Sequence, residues 1–163
     1  MTSLDYLFFT VKLSSALGCG LVAGIFFTFS TFVMRALAQL KPDKGIAAMQ
    51  AINITVINPW FMTAFLGTGV ACLFLAIASL LNWHLPGAAY LLIGSLLYLF
   101  GTVGVTIAFN VPLNDALAVV KVESIEGAEL WAKYLTDWTL WNHLRTAAAL
   151  IAAILLTLGL CMG

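Results

Sequence analysis

NPWFMTAFLGTGVACLFLAIASLL, running from Asn58 to Leu81, is the stretch that decides the fold. Asn58 is a good N-cap, and Pro59 suits the first position of a helix. From Pro59 to Leu81 there is no Asp, Glu, Lys or Arg. An α-helix rises ~1.5 Å per residue and a bilayer core is ~30 Å thick, so ~20 such residues cross it. Working outward, uncharged apolar stretches recur at Leu13–Met34, Gly87–Asn110 and Thr146–Met162. The last has 17 residues. It crosses fully only if its helix starts near Trp141 or Asn142, which draws Asn142, His143 and Arg145 into the interface. The expectation is an all-α integral membrane four-helix bundle. It forms one domain over residues 1–163, with spans at about 13–34, 59–81, 87–110 and 142–162.

Composition agrees. The chain is 63% hydrophobic and 9% charged, against ~25% charged in ordinary globular chains. One bundle uses up the length, leaving no room for a separate soluble domain. Zero net charge removes the electrostatic case for a nucleic-acid partner. Cys19, Cys72 and Cys161 lie in or at the ends of spans without Cys-x-x-Cys spacing, so they read as small packing residues. The first apolar stretch is too long for a signal-peptide core of ~7–15 residues, and a retained first helix is expected.

An even number of spans puts both termini on one side, where Lys12 is the only Lys or Arg. The other side holds Arg35, Lys41, Lys44, Lys121, Lys133 and Arg145. By the positive-inside rule, loops 35–58 and 111–145 face the cytoplasm of a bacterial cell, with both termini outside. Each loop carries a short interfacial helix. In 43–57, Ile46, Met49, Gln50, Asn53 and Ile57 fall at helical spacing. In the second loop, Trp131, Tyr134, Trp138, Trp141 and Arg145 do the same, forming an aromatic-faced helix that continues into the fourth span. Gly20 and Gly24, extended by Ala16, are small residues at the spacing that lets membrane helices approach. Gly94, Gly101 and Gly104 repeat the pattern, and such faces also suit association with a second copy.

Polar residues gather at the cytoplasmic rim. The first span ends in Met34-Arg35 and the second begins Asn58-Pro59-Trp60-Phe61. The third ends Asn110-Val111-Pro112-Leu113-Asn114, and the fourth begins with Trp138, Trp141, Asn142, His143 and Arg145. Mostly apolar walls with a few fixed polar groups describe a small-molecule pocket. Taken singly, each residue also has a plain structural role. Trp60, Trp138 and Trp141 suit an aromatic belt, Arg35 and Arg145 suit snorkelling, and Asn58 suits a cap. Asn110, just before Pro112, suits a helix end. On a continuous helix His143 is turned ~100° from Asn142 and ~200° from Arg145. His143 and Arg145 therefore cannot both face the bundle axis unless the helix bends.

Several activities are excluded. The only histidines, His84 and His143, fall at opposite faces, ~30 Å apart, which rules out a bis-histidine haem. No span carries the Glu residues of a di-iron centre or the buried acid of a proton-coupled exporter. No metal ligand set, nucleotide-binding loop or serine-hydrolase elbow is present.

The strings Met49-Gln50-Ala51-Ile52-Asn53, Asn58-Pro59-Trp60-Phe61, Asn110-Val111-Pro112-Leu113-Asn114 and Trp138 to Thr146 resemble the anthrone oxygenase-like family of small four-helix membrane proteins. The resemblance covers nearly the whole chain. It implies oxidation of an anthrone-like or other flat polycyclic or phenolic substrate, with dioxygen as co-substrate and no cofactor or metal. An anthrone methylene loses a proton to give an electron-rich anion that can reduce dioxygen. In that reading His143 is the base. Asn110 and Asn114 donate to the oxyanion, Trp60 and Trp141 sandwich the ring, and Arg145 holds a phenolate. Asn58, Trp138 and Asn142 complete the substrate-binding set. Family members usually carry two asparagines where this chain has Asn114-Asp115, so no role passes to the second position. The alternatives are a lipid- or quinone-binding or transport-accessory protein without catalysis, and a structural subunit of a membrane complex.

Overall fold

The computed structural model describes residues 3–162. The chain runs through α1 (Asp5–Ala38), α2 (Pro42–Thr55), α3 (Pro59–Leu81), α4 (Ala88–Ala118) and α5 (Ile125–Met162). Among the described residues there is no strand, and all helices but α2 are long and apolar enough to cross a membrane. Asp5, the Asn82–Pro86 turn and Met162 lie together at one end, the terminal face. The opposite end, the loop face, carries α2 and the connection from α4 to α5.

Two buried clusters hold the bundle. In the terminal half, Cys19, Val22, Leu75, Tyr98, Ala152 and Leu156 pack at or near zero exposure. At the loop face, Ile46, Met49, Leu117, Trp131, Tyr134 and Trp138 form a second cluster that fixes α2 against α4 and α5. Small residues set the closest approaches. A Cβ on Gly101 would lie 2.6 Å from Ala148 Cβ, and one on Gly94 would lie 3.1 Å from Leu155 Cβ, so α4 and α5 meet there. Gly18 stands against Thr68 where α1 meets α3. Gly20 and Gly24 instead face outward, with nothing within 4 Å of a Cβ built on them.

Asn58 caps α3 as its sequence context suggests. Its Oδ1 accepts from the backbone N of Trp60 and of Phe61, both at 3.1 Å, while Nδ2 donates to Thr55 O at 3.0 Å. The same side chain thus joins the end of α2 to the start of α3. Asn110 does not end α4, which continues to Ala118. Proline lacks an N–H and crowds the carbonyl four residues earlier. The wider π winding at Thr106–Asn110 makes room for Pro112 without breaking the helix.

Similar π segments occur at Phe29–Val33 in α1, Thr63–Gly67 in α3 and Leu97–Gly104 in α4. By contrast α5 is α-helical along its whole 38 residues, about 57 Å. That exceeds a ~30 Å bilayer core. Its first turns therefore stand beyond the span, where stacked Trp131, Tyr134 and Trp138 support α2.

Candidate functional site

Between the two buried clusters lies a polar layer, and Arg145 is its centre. Uninterrupted winding of α5 settles which side chain faces inward. Trp138, Asn142 and Arg145 are buried, and His143 is exposed on the outside of the bundle. Arg145 is 4% exposed. Its Nη2 donates to Asn142 Oδ1 at 2.8 Å and its Nη1 to Thr106 Oγ1 at 3.1 Å. The guanidinium carbon sits 4.1 Å from the ring centre of Phe26 and 5.1 Å from that of Trp138. Such cation–π contacts orient the planar group as well as attract it. Asn142 is itself fixed, donating to Phe26 O and Ser30 Oγ at 2.8 Å each. Among the described residues no carboxylate pairs with Arg145, and its Nε is buried without a partner.

Arg145 opens onto a cavity of about 310 Å³. Phe26, Phe29, Phe61, Phe65 and Trp138 give it aromatic walls, with Phe61 and Phe65 stacked at 8° between ring planes. Met49, Ile52 and Asn53 of α2 roof it, and Thr106 and Asn114 of α4 supply polar groups. Among the described residues no His, Cys, Asp, Glu or Lys lines the cavity, and Arg145 is its one charged side chain. Among the described residues no group of three His, Cys, Asp or Glu side chains is placed to hold a metal. The π segments of α1, α3 and α4 each contribute to the wall, through Phe29, Phe65 and Thr106. Extra residues per turn turn these side chains inward, and such segments often mark functional sites.

Asn114 is positioned by donors on α5. Its Oδ1 accepts from Tyr134 Oη at 2.7 Å and from Trp138 Nε1 at 2.8 Å. Indole N–H only donates, so the amide oxygen must face it, and Nδ2 remains the free donor of Asn114. Asn110, one turn earlier, donates from Nδ2 to Trp138 O at 3.2 Å and leaves its Oδ1 buried and unpaired. Both asparagines thus clamp Trp138, but of the two only Asn114 lines the cavity.

The structure gathers Arg145, Asn114 and Trp138 in the cavity wall, with Asn142 directly behind Arg145. It places the remaining expected residues elsewhere. His143 projects outward because it is two residues from an inward-facing Arg145 on an unbent helix. Trp60 is 87% exposed, and Trp141 stacks on Phe109 at 3.6 Å between centroids. Neither of these indoles lines the cavity. Asn58 is occupied as a cap. Sequence reasoning missed Phe26, Phe65 and Thr106, which are indistinguishable in type from the other residues of apolar spans, and it named Phe61 only within the Asn58-Pro59-Trp60-Phe61 string. Met49 and Asn53 did carry a signal, the helical spacing of 43–57.

A family model described as anthrone oxygenase matches residues 60–155, more than half of the chain. No curated protein and no solved structure matches the chain.

Proposed function

We propose that this chain, which belongs to the anthrone oxygenase family, is a membrane-embedded oxygenase of flat phenolic or polycyclic substrates, working without a resident cofactor. One observation carries the reading: a fixed, buried guanidinium without a carboxylate partner forms the charged point of an aromatic cavity. A buried unpaired charge costs several kcal/mol, and an anionic oxygen of the substrate would offset it. The acidic methylene of an anthrone loses its proton, and the charge spreads onto the ring oxygen beside Arg145. Asn114 Nδ2 and Thr106 Oγ1 are neutral groups in the same wall. The carbanion form gives its electron pair to dioxygen, which is soluble in the bilayer. Proton uptake gives a hydroperoxide, and loss of water leaves the ketone, so that CH2 and O2 become C=O and H2O. With no imidazole or carboxylate in the wall, the proton is given up to base at the membrane–water interface, and the wall receives the anion. The wall stabilises the anion rather than accepting the proton.

Oxygen uptake by the protein in nanodiscs, with an anthrone and without added cofactor, tests this. Turnover should exceed spontaneous air oxidation, survive chelation, and be lost in Arg145→Gln. A wild type no faster than the spontaneous reaction defeats the reading. Activity that tracks bound metal or flavin defeats the cofactor-free mechanism. The wall's lack of a proton acceptor also supports binding without turnover, of a lipid or quinone. In that case the ligand would bind at Arg145 while oxygen uptake stayed at background. The charge count supports a cytoplasmic position for α2 and the cavity, and a periplasmic signal from a reporter fused at the C-terminus would accord with it.

A further inference from the structure

The exposed residues that line the cavity, Ile57, Leu66, Ile107 and Val111, are all aliphatic. Across the loop face, α2 covers it, tied down by Gln50 Nε2 donating to Leu117 O at 2.8 Å. At the inner end sits the Arg145 layer. Toward the terminal face α3 and α4 are in contact: a Cβ on Gly69 would lie 3.7 Å from Val103, and Tyr98 Oη donates to Phe65 O at 3.0 Å. About one turn further toward the loop face the two helices part. The residues edging the cavity there are Leu66 and Ile107, 46% and 64% exposed, with Ile57 at 71% above them. All are aliphatic. Leu66 and Ile107 belong to segments long and apolar enough to cross a membrane, and an aliphatic edge there suits acyl chains rather than water. A mouth leading to water would be edged by polar groups.

A ligand anchored at Arg145 therefore has its charged end innermost and its far end at a hydrocarbon-facing gap. We infer that the natural ligand is a phenol or quinol bearing an apolar tail, its ionised oxygen at Arg145 and its tail leaving between α3 and α4 into the bilayer. This rests on the proposed binding of an anionic oxygen by Arg145. About 310 Å³ is at the small end of ligand pockets, enough for a compact ring head but not for a head and a long tail together. The tail stays in hydrocarbon whether the ligand is free or bound, so lengthening it costs little.

The test uses the full chain in nanodiscs and a series of 4-alkylphenols from methyl to pentadecyl, each at the same mole fraction of lipid. Affinity should vary by less than about threefold across the series, since the tail gains and loses no burial. A diazirine placed in the tail should label the Leu66 and Ile107 peptides. Ile107→Trp, which narrows the gap, should lower the ratio of long-tail to short-tail affinity at least tenfold, and Arg145→Gln should weaken every member. If methyl phenol binds through Arg145 while the pentadecyl compound is excluded, or the label falls elsewhere, the tail inference is overturned and the reading of the site stands. If Ile107→Trp leaves the ratio unchanged, the gap between α3 and α4 is not the exit. If no member binds, both the inference and the anion site fail.

Discussion

Lys12, toward the terminal face, is 7% exposed, and its Nζ lies 5.2 Å from the ring centre of Phe8. Arg145, in the loop-face half, is 4% exposed but has two hydrogen-bonded acceptors and two aromatic rings around it. Each borders a cavity, of about 280 Å³ and 310 Å³ respectively. Size and burial therefore do not separate the two ends; fixation does. A lysine stem reaches toward the nearest interface and its ammonium turns freely. A guanidinium held by bonds and rings keeps one plane and presents its donors to one place. Asp5 also lines the Lys12 cavity, whereas among the described residues no acid lines the other.

Removing each cation should break the comparison if it is mistaken. Arg145→Gln should reduce anthrone-dependent oxygen uptake by about 100-fold, or ~2.7 kcal/mol of transition-state stabilisation. Arg145→Lys should not restore it, because an ammonium cannot keep the stacked, forked geometry. Lys12→Gln should change uptake less than about twofold. Equal losses from both positions would mean that fixation does not matter.

Polar groups behind the two cavities sharpen the same contrast through stability. Asn142→Ala removes bonds to Arg145, Phe26 O and Ser30. It should cost about 2–3 kcal/mol, because Arg145 loses an acceptor it cannot replace. Ser79 Oγ, in the wall near Lys12, is buried without a partner, so Ser79→Ala should be neutral or stabilising. Thermal unfolding in detergent reads both.

A smaller effect compares inner and outer glycines. Gly101→Ala forces a methyl against Ala148 and should cost about 1–2 kcal/mol. Gly20→Ala meets open space and should leave monomer stability unchanged. A shift in oligomeric state on that change would show a second copy packing there. Smallest of all, His143→Ala should keep oxygen uptake within about twofold, since the side chain lies on the outer surface. Abolished uptake would return the base to His143 and overturn the proposed role of the wall.

The four spans were legible because ~20 uncharged apolar residues leave a chain few other options. The Asn58-Pro59 start of α3 was legible because capping depends on residues adjacent in sequence. The exclusion between His143 and Arg145 was also legible, since 100° per residue is a property of any α-helix. Which of them turns inward was not, because it depends on the phase of α5 against α1. The aromatic wall stayed hidden for a different reason. Phe26, Phe61 and Phe65 resemble the outward-facing Phe27, Phe32 and Phe74 in everything but orientation. Fixed 3.6-residue counting fails wherever the winding widens, as it does beside each of these walls. Asn110 was read as a helix end from Pro112, and the π winding just before it is what lets α4 continue.

Those widened turns say something about how such a cavity could arise. A π turn holds about one residue more than an α turn, so it can take up an extra residue while the faces before and after it stay in register. Deleting one residue within Thr63–Gly67 would restore even α winding and leave the turns of α3 on either side facing as they do now. A hydrophobic helix of nearly the same length would remain, and only side chains within the turn itself would be re-aimed relative to the cavity wall. In this architecture a cavity wall can thus be re-aimed one residue at a time without disturbing the span that carries it.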